Sequence, residues 1–420
     1  MRIDSQIGLP RSVARPAVAA TGPIDTVELG RETPVKLTRA AVAALVGQTS
    51  KELKPLWNRE ISDVVGPDYP EIQGAPVIAT DGKRAFFASQ HALLALDSKT
   101  GATGWSFDAD GKGIASRPLV HGDQVLVSAL DGRVYALDSV SGTPAWSAPC
   151  DHPAGLQLGA DGSIVVGVKN GQLGLDPTTG EQLWSSPVPF GDSAVGLNNQ
   201  IVRAGDQVRA AVAYDRDSGE EQWRFSQGGL IRHRPTVGPD GTVYVGDTDG
   251  KFFALDPATG QPRWIHQTEG YVLEPSTVSA DGQTVYVGSS DQHLYALDTA
   301  TGDPRWKCKV EGEVRMQPNL SGQGTVVLAS DKNKIYVVDE ATGSPLASAP
   351  AASYVHVAPA AGGDSLVLQA NNHTLYGFGS PTGLRSQLSQ AMQQADAPTM
   401  RLTSDAEAVH IGEVDVPIQP

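Results

Sequence analysis

Few side chains in this 420-residue chain are spaced for catalysis. The two cysteines, Cys150 and Cys308, belong to no CxxC pair and no Cys/His cluster, so zinc, iron–sulfur and dithiol chemistry find no ligand pattern. The nine histidines are scattered through loops and read as solvated or structural residues. There is no GxSxG, no HExxH, no P-loop and no GxGxxG after a strand. A polar set does recur at one place in a repeat. Arg117, Arg232, Arg234, Glu274, Arg315, Gln317 and His356 stand one or three residues before Pro118, Pro235, Pro275, Pro318 or Pro359. Strand alternation points such positions the same way. Guanidinium and carboxylate groups gathered there would form a mutual ion-pair network, or a polar pocket for an anionic ligand or an acidic peptide.

A repeat must position these residues. Seven segments share an apolar pair, Asp, three residues, Gly, three residues and Trp: LALDSKTGATGW, YALDSVSGTPAW, LGLDPTTGEQLW, VAYDRDSGEEQW, FALDPATGQPRW, YALDTATGDPRW and YVVDEATGSPLA, the last with Ala in the Trp position. Their aspartates, from Asp97 to Asp339, are spaced by 41, 38, 39, 41, 42 and 41 residues. A period of about 40 is the length of one four-stranded propeller blade. Within a unit, stretches such as TVYVGDTDG and KFFALD read as buried or half-buried strands. Asp-Gly pairs, Asp81-Gly82 and Asp240-Gly241 among them, suit two-residue hairpins with positive φ at both positions. In the long motif, Asp caps the turn after the third strand, Gly supplies positive φ, and Trp opens the fourth strand with a large apolar face toward the next blade.

Seven complete units leave three further strands at the end of the repeat region and one isolated fourth strand, LKPLWNREI, before the first unit. Pairing the strand around Trp57 with the strand near Leu375 and Tyr376 closes an eight-bladed, all-β propeller and removes its exposed sheet edges. Trp57, Trp105, Trp146, Trp184, Trp223, Trp264 and Trp306 then all occupy the blade-docking position, and Ala347 stands in the eighth, which predicts the loosest junction. Cys150 and Cys308 fall on opposite blades, out of disulfide reach. The expected organisation is an N-terminal arm over 1–50 with a short helix from Thr33-Pro34 to Val46, the propeller over 51–383, and a tail over 384–420. Residues 384–398 of that tail have helical composition, and AVHIGEVDVPIQP alternates like a strand.

Composition narrows the partners. A formal charge of −15 opposes a nucleic-acid partner and favours a soluble monomer. No stretch of eighteen apolar residues is present to span a membrane. The first residues show neither a secretory signal nor a lipidation cysteine, which predicts a cytoplasmic protein as the sequence stands, or a periplasmic or envelope one if the native start or export route differs.

The units ALDSKTGATGW, ALDPATGQPRW and ALDTATGDPRW resemble the tryptophan-docking repeat of the PQQ-like quinoprotein family, over about residues 50–383. That resemblance implies the propeller fold. It also leads to two branches, the quinone-dependent dehydrogenases and a non-enzymatic branch that includes the outer-membrane assembly lipoprotein BamB, which this chain is closer to in size. In the methanol-oxidising members the quinone lies between a Trp and two adjacent cysteines, with calcium held by Glu, Asn and Asp. No position here matches those motifs. The resemblance therefore implies a protein-binding scaffold with no cofactor, its partner a protein or peptide at a propeller face. The alternatives are a PQQ- and calcium-dependent alcohol or sugar dehydrogenase and a ligand-sensing propeller.

Overall fold

A computed structural model of the chain describes residues 55–60, 74–205, 209–350, 359–362, 365–370 and 374–379, together with four short strands at 35–36, 399–402, 408–411 and 414–417. Among the described residues there is no helix; the strands form nine four-stranded antiparallel sheets, eight of them the blades of a propeller. Blades 1 to 7 start at the inner strands Val77–Ile78, Leu119–His121, Leu156–Leu158, Ser193–Val195, Thr236–Val237, Thr277–Val278 and Asn319–Leu320. They end at the outer strands Thr103–Phe107, Pro144–Pro149, Gln182–Ser186, Glu221–Phe225, Pro262–Gln267, Pro304–Lys309 and Pro345–Pro350. Blade 8 consists of Ala360–Gly362, Ser365–Ala370 and Thr374–Gly379, completed by Pro55–Glu60 from the other end of the chain.

The closing strand pairs Trp57 with Gly377, Asn58 with Tyr376 and Arg59 with Leu375. The expected closure is therefore the one the fold uses. Ala360–Gly362 packs beside Val77–Ile78, and Trp57, Ile78, Phe87, Ala360 and Leu375 share one buried cluster across the seam between blades 8 and 1. The hydroxyls of Ser98 and Ser365 meet across it at 2.9 Å.

Each blade junction repeats one piece of chemistry. The repeat Asp accepts backbone N–H groups two and three residues on, as Asp138 does from Val140 and Ser141. The indole of one blade then lies on the Gly of the next blade's turn. A Cβ on Gly302 would sit 2.6 Å from the Trp264 ring, so this Gly is required by its neighbour as well as by its φ of +77°. Indole N–H groups donate to the carbonyl of the residue after the repeat Asp: Trp57 to Ser98, Trp105 to Ser139, Trp146 to Pro177, Trp223 to Pro257, Trp264 to Thr299 and Trp306 to Glu340, at 2.8–3.4 Å. Trp184 is the exception. Its Nε1 is buried without a protein acceptor, Arg216 stacks over its ring at 4.8 Å, and Gly219 faces Pro187 instead.

Three expectations change. Ala347 does not sit at a loose junction: it is buried with Met316, Val327, Leu366 and Phe378 in a cluster shared by blades 7 and 8. The Asp-Gly turns place only the Gly at positive φ, as at Gly82 and Gly241, because the Asp carboxylate bonds the N–H two residues on. Val35–Lys36, within the segment expected to be helical, is a strand on Thr399–Leu402, and Ala408–Ile411 and Val414–Pro417 extend that sheet. The rest of the expected helix and residues 384–398 lie outside the described residues. Cys150 and Cys308 are free and buried, on blades 2 and 6.

Candidate functional site: the mouth of the ring

The inner strands bring the polar set to one end of the ring. Hairpin register gives each blade's equivalent of Arg234: Ala75, Arg117, Gly155, Asp192, Arg234, Pro275 and Gln317 for blades 1 to 7. The residue that alignment on proline missed is Asp192, because blade 4 carries Ser193 where blades 2, 5 and 7 carry proline. Register against the strand Ser193–Val195 would have found it. Glu274 shifts off this rung, since Pro275 comes one residue early relative to Thr277–Val278.

Arg234 is held from two sides. Its Nη2 donates to Gln317 Oε1 at 3.0 Å, spanning blade 6, where Pro275 offers no competing side-chain group. Gln317 is fixed in turn, its Nε2 donating to the Ser276 carbonyl at 3.0 Å and to Thr277 Oγ1 at 3.3 Å. Beneath Arg234, the buried His233 directs Nδ1 at the Arg234 carbonyl, and its Nε2 accepts the Gly246 N–H, an arrangement of the neutral imidazole. Burial holds the His233 pKa below its usual value. Thr236, Thr277 and Asn319, on successive inner strands, each donate to a carbonyl at the start of the next blade, Ser276, Pro318 and Pro359, and stiffen this arc of the ring.

The charges here are crowded. Burial lowers the Arg234 pKa to about 10, with the nearby Arg117 pushing the same way and Asp192 opposing. Burial lowers Arg117 as well. Arg117 is exposed, as befits a side chain lining an opening. Both guanidiniums stay charged near neutrality. Glu274 is half-buried, and burial raises its carboxyl to about 7 against the pull of Arg315. Arg315 is exposed and donates from Nε to Glu313 at 2.7 Å. Arg232 is exposed, and His356 lies outside the described residues. The structure thus joins Arg234 to Gln317, sets Arg117 within electrostatic range of Arg234, and sets Glu274 within range of Arg315.

A quinone with its calcium would need oxygen ligands for the ion and a free aromatic floor. Among the described residues no three His, Cys, Asp or Glu side chains gather as a metal site. The rung offers guanidinium and amide groups with Asp192 its one carboxylate among the described residues, the cysteines are buried on opposite blades, and every indole is packed at a junction. The described residues do not fit that group. No helix among them is long and apolar enough to cross a membrane.

The comparisons return both BamB and quinoprotein dehydrogenases. The family described as outer membrane protein assembly factor BamB matches residues 54–211, 208–322 and 309–414. The outer membrane protein assembly factor BamB of Burkholderia pseudomallei is 30% identical over 158 residues, 35% of this chain and 40% of that protein. A quinoprotein ethanol dehydrogenase of Pseudomonas aeruginosa is 24% identical over 274 residues, 51% of this chain and 43% of that one. The chain thus matches less than half the length of these curated relatives. Among solved structures, the computationally designed Ika8 protein aligns with a TM-score of 0.55 at 17% identity, covering 74% of this chain and 98% of the other, a likeness of fold. With its eight blades and a family match running through nearly all of them, the chain belongs to the family described as outer membrane protein assembly factor BamB.

Proposed function

We propose that this propeller is a non-catalytic scaffold that binds another protein at the face carrying the arginine rung. The supporting observation is the make-up of that face. The connections entering the inner strands and the turns between second and third strands lie at the same end of the blades, and they expose Leu130 at 64%, Tyr271 at 54% and Leu230 at 38%. Exposed apolar side chains on the same face as fixed charged groups suit a protein contact. The assembly role named for the Burkholderia pseudomallei relative points the same way. The test is co-purification from the native host with the tagged full chain. Leu130→Glu with Tyr271→Glu should abolish recovery of a partner that the wild type and Val140→Glu, on the opposite face, both retain. Equal recovery by all three would overturn the assignment of the face.

The match to a quinoprotein ethanol dehydrogenase supports a second reading, a quinone-dependent alcohol oxidase. Dye-linked ethanol and glucose oxidation after addition of pyrroloquinoline quinone and calcium decides it. Turnover above the protein-free control would refute the scaffold reading.

A further inference from the structure

We propose that the mouth of the ring holds a carboxylate-binding site in which Arg117 and Arg234 grip the anion and Gln317 fixes the Arg234 fork. The proposal does not depend on the scaffold reading, since the carboxylate can be a free acid or one borne by a partner.

Three observations carry it. First, the donors are unspent. Among the described residues Arg117 has no hydrogen-bond or ion-pair partner, and the one acceptor of Arg234 is Gln317. Arg117 is exposed and Arg234 half-buried, and each presents five N–H donors in a planar fork that matches a carboxylate. Second, Arg234 is set before any ligand arrives. Gln317 anchors it from blade 7, His233 braces its backbone, and the Thr236, Thr277 and Asn319 latches tie the intervening blades together. A donor fixed in advance loses little freedom on binding. Third, the rung neighbours of Arg117, Ala75 and Gly155, carry no polar side chain to compete for its donors, and the Phe190 ring packs over Gly155.

The charge balance selects the anion. Two guanidiniums and the Asp192 carboxylate, which stands on the same rung and acts on Arg234, leave one net positive charge. Arg315 is already engaged with Glu313. One carboxylate neutralises the remainder, whereas a phosphate dianion would leave an excess negative charge facing Asp192. Arg117 and Arg234 act unfavourably on one another, Asp192 offsets part of that, and a bound anion offsets more.

The test uses the purified full-length protein at low salt and pH 7.5. Propionate represents the free acid, N-acetyl-glutamic acid α-amide the peptide-borne side chain, and inorganic phosphate the competing oxyanion. Titration calorimetry and thermal shift should show saturable one-to-one binding of at least one carboxylate probe, tighter than phosphate; which carboxylate binds identifies the source. Arg117→Gln and Arg234→Gln should each weaken it at least tenfold, with Arg234→Lys between wild type and Arg234→Gln. Arg133→Gln, whose guanidinium is tied to Ser147 on an outer strand, should change nothing. Asp192→Asn should tighten the carboxylate several-fold and admit phosphate. Circular dichroism verifies the fold of each variant, and Arg117→Gln, which breaks no hydrogen bond or ion pair among the described residues, keeps the test valid if Arg234→Gln misfolds. The proposal is overturned by non-saturable binding, by phosphate binding as tightly as either acid to the wild type, or by a loss in Arg133→Gln equal to that in Arg117→Gln.

Discussion

Two tryptophans in the same repeat position should respond differently to the same substitution. Trp264 is 8% exposed, donates to the Thr299 carbonyl at 2.8 Å, and packs against Tyr244 and Phe252 with ring centroids 5.9 and 6.0 Å away. Trp184 is equally buried but has no protein acceptor for its N–H. Changing either residue to Phe removes similar apolar volume, so that loss appears in both variants. Only Trp264→Phe also breaks a hydrogen bond and strands a carbonyl, together worth about 1–3 kcal/mol. Trp184→Phe loses part of the stacking with Arg216, about 0.5–1 kcal/mol at such a site. Trp264→Phe should therefore be the more damaging of the two by about 1–2 kcal/mol. Guanidinium unfolding followed by far-ultraviolet circular dichroism measures the difference without relying on the altered fluorophores. The hydrogen-bond account of the junctions is wrong if the two variants lose the same stability, or if Trp184→Phe loses more.

Two further outcomes follow from the core and from the mouth. Ala347→Trp, which restores the repeat consensus, should destabilise by about 1–3 kcal/mol because the site is already filled by Met316, Leu366 and Phe378; a higher unfolding midpoint would mean that the junction holds a gap. The Glu274 carboxyl titrates near 7 when folded and near 4.3 when unfolded, so the folded state favours its protonated form. That preference is fully present below pH of about 4.3 and is lost as pH rises to about 7, costing at most about 4 kcal/mol and nearer 1–2 after allowance for solvent at a half-buried site. Glu274→Gln should flatten this part of the stability profile, and an unchanged slope would show that another group carries it.

The fold was legible because its signal is redundant. Asp, Gly and Trp at fixed spacing each answer a separate demand of one turn, and seven copies leave little freedom in counting blades. The reciprocity of Gly302 and Trp264 was not legible, because the two belong to different units and meet only when blades stack. The candidate site was legible in part. Proline marked the inner strands of blades 2, 5 and 7 and so found Arg117, Arg234 and Gln317. It failed at blade 4, where Ser193 replaces it, and it misplaced Glu274 by one residue at blade 6, enough to turn a side chain to the other face of a strand. The odd junction was sought at Ala347, where a residue type changes. It lies at Trp184, where the consensus residue is kept and its acceptor is lost, a change no single position displays.

The pairing of Trp57 with Gly377 has a consequence for the birth of the molecule. On the ribosome, the strand Pro55–Glu60 emerges before any blade and its partner strand emerges after the other seven are complete. For the whole of that interval the nascent chain carries an unmatched edge, and blade 8 cannot form its core until its strands Ala360–Gly362, Ser365–Ala370 and Thr374–Gly379 have been made. The slowest and most exposed moment of assembly is then the last one, when the ring has to find its own beginning.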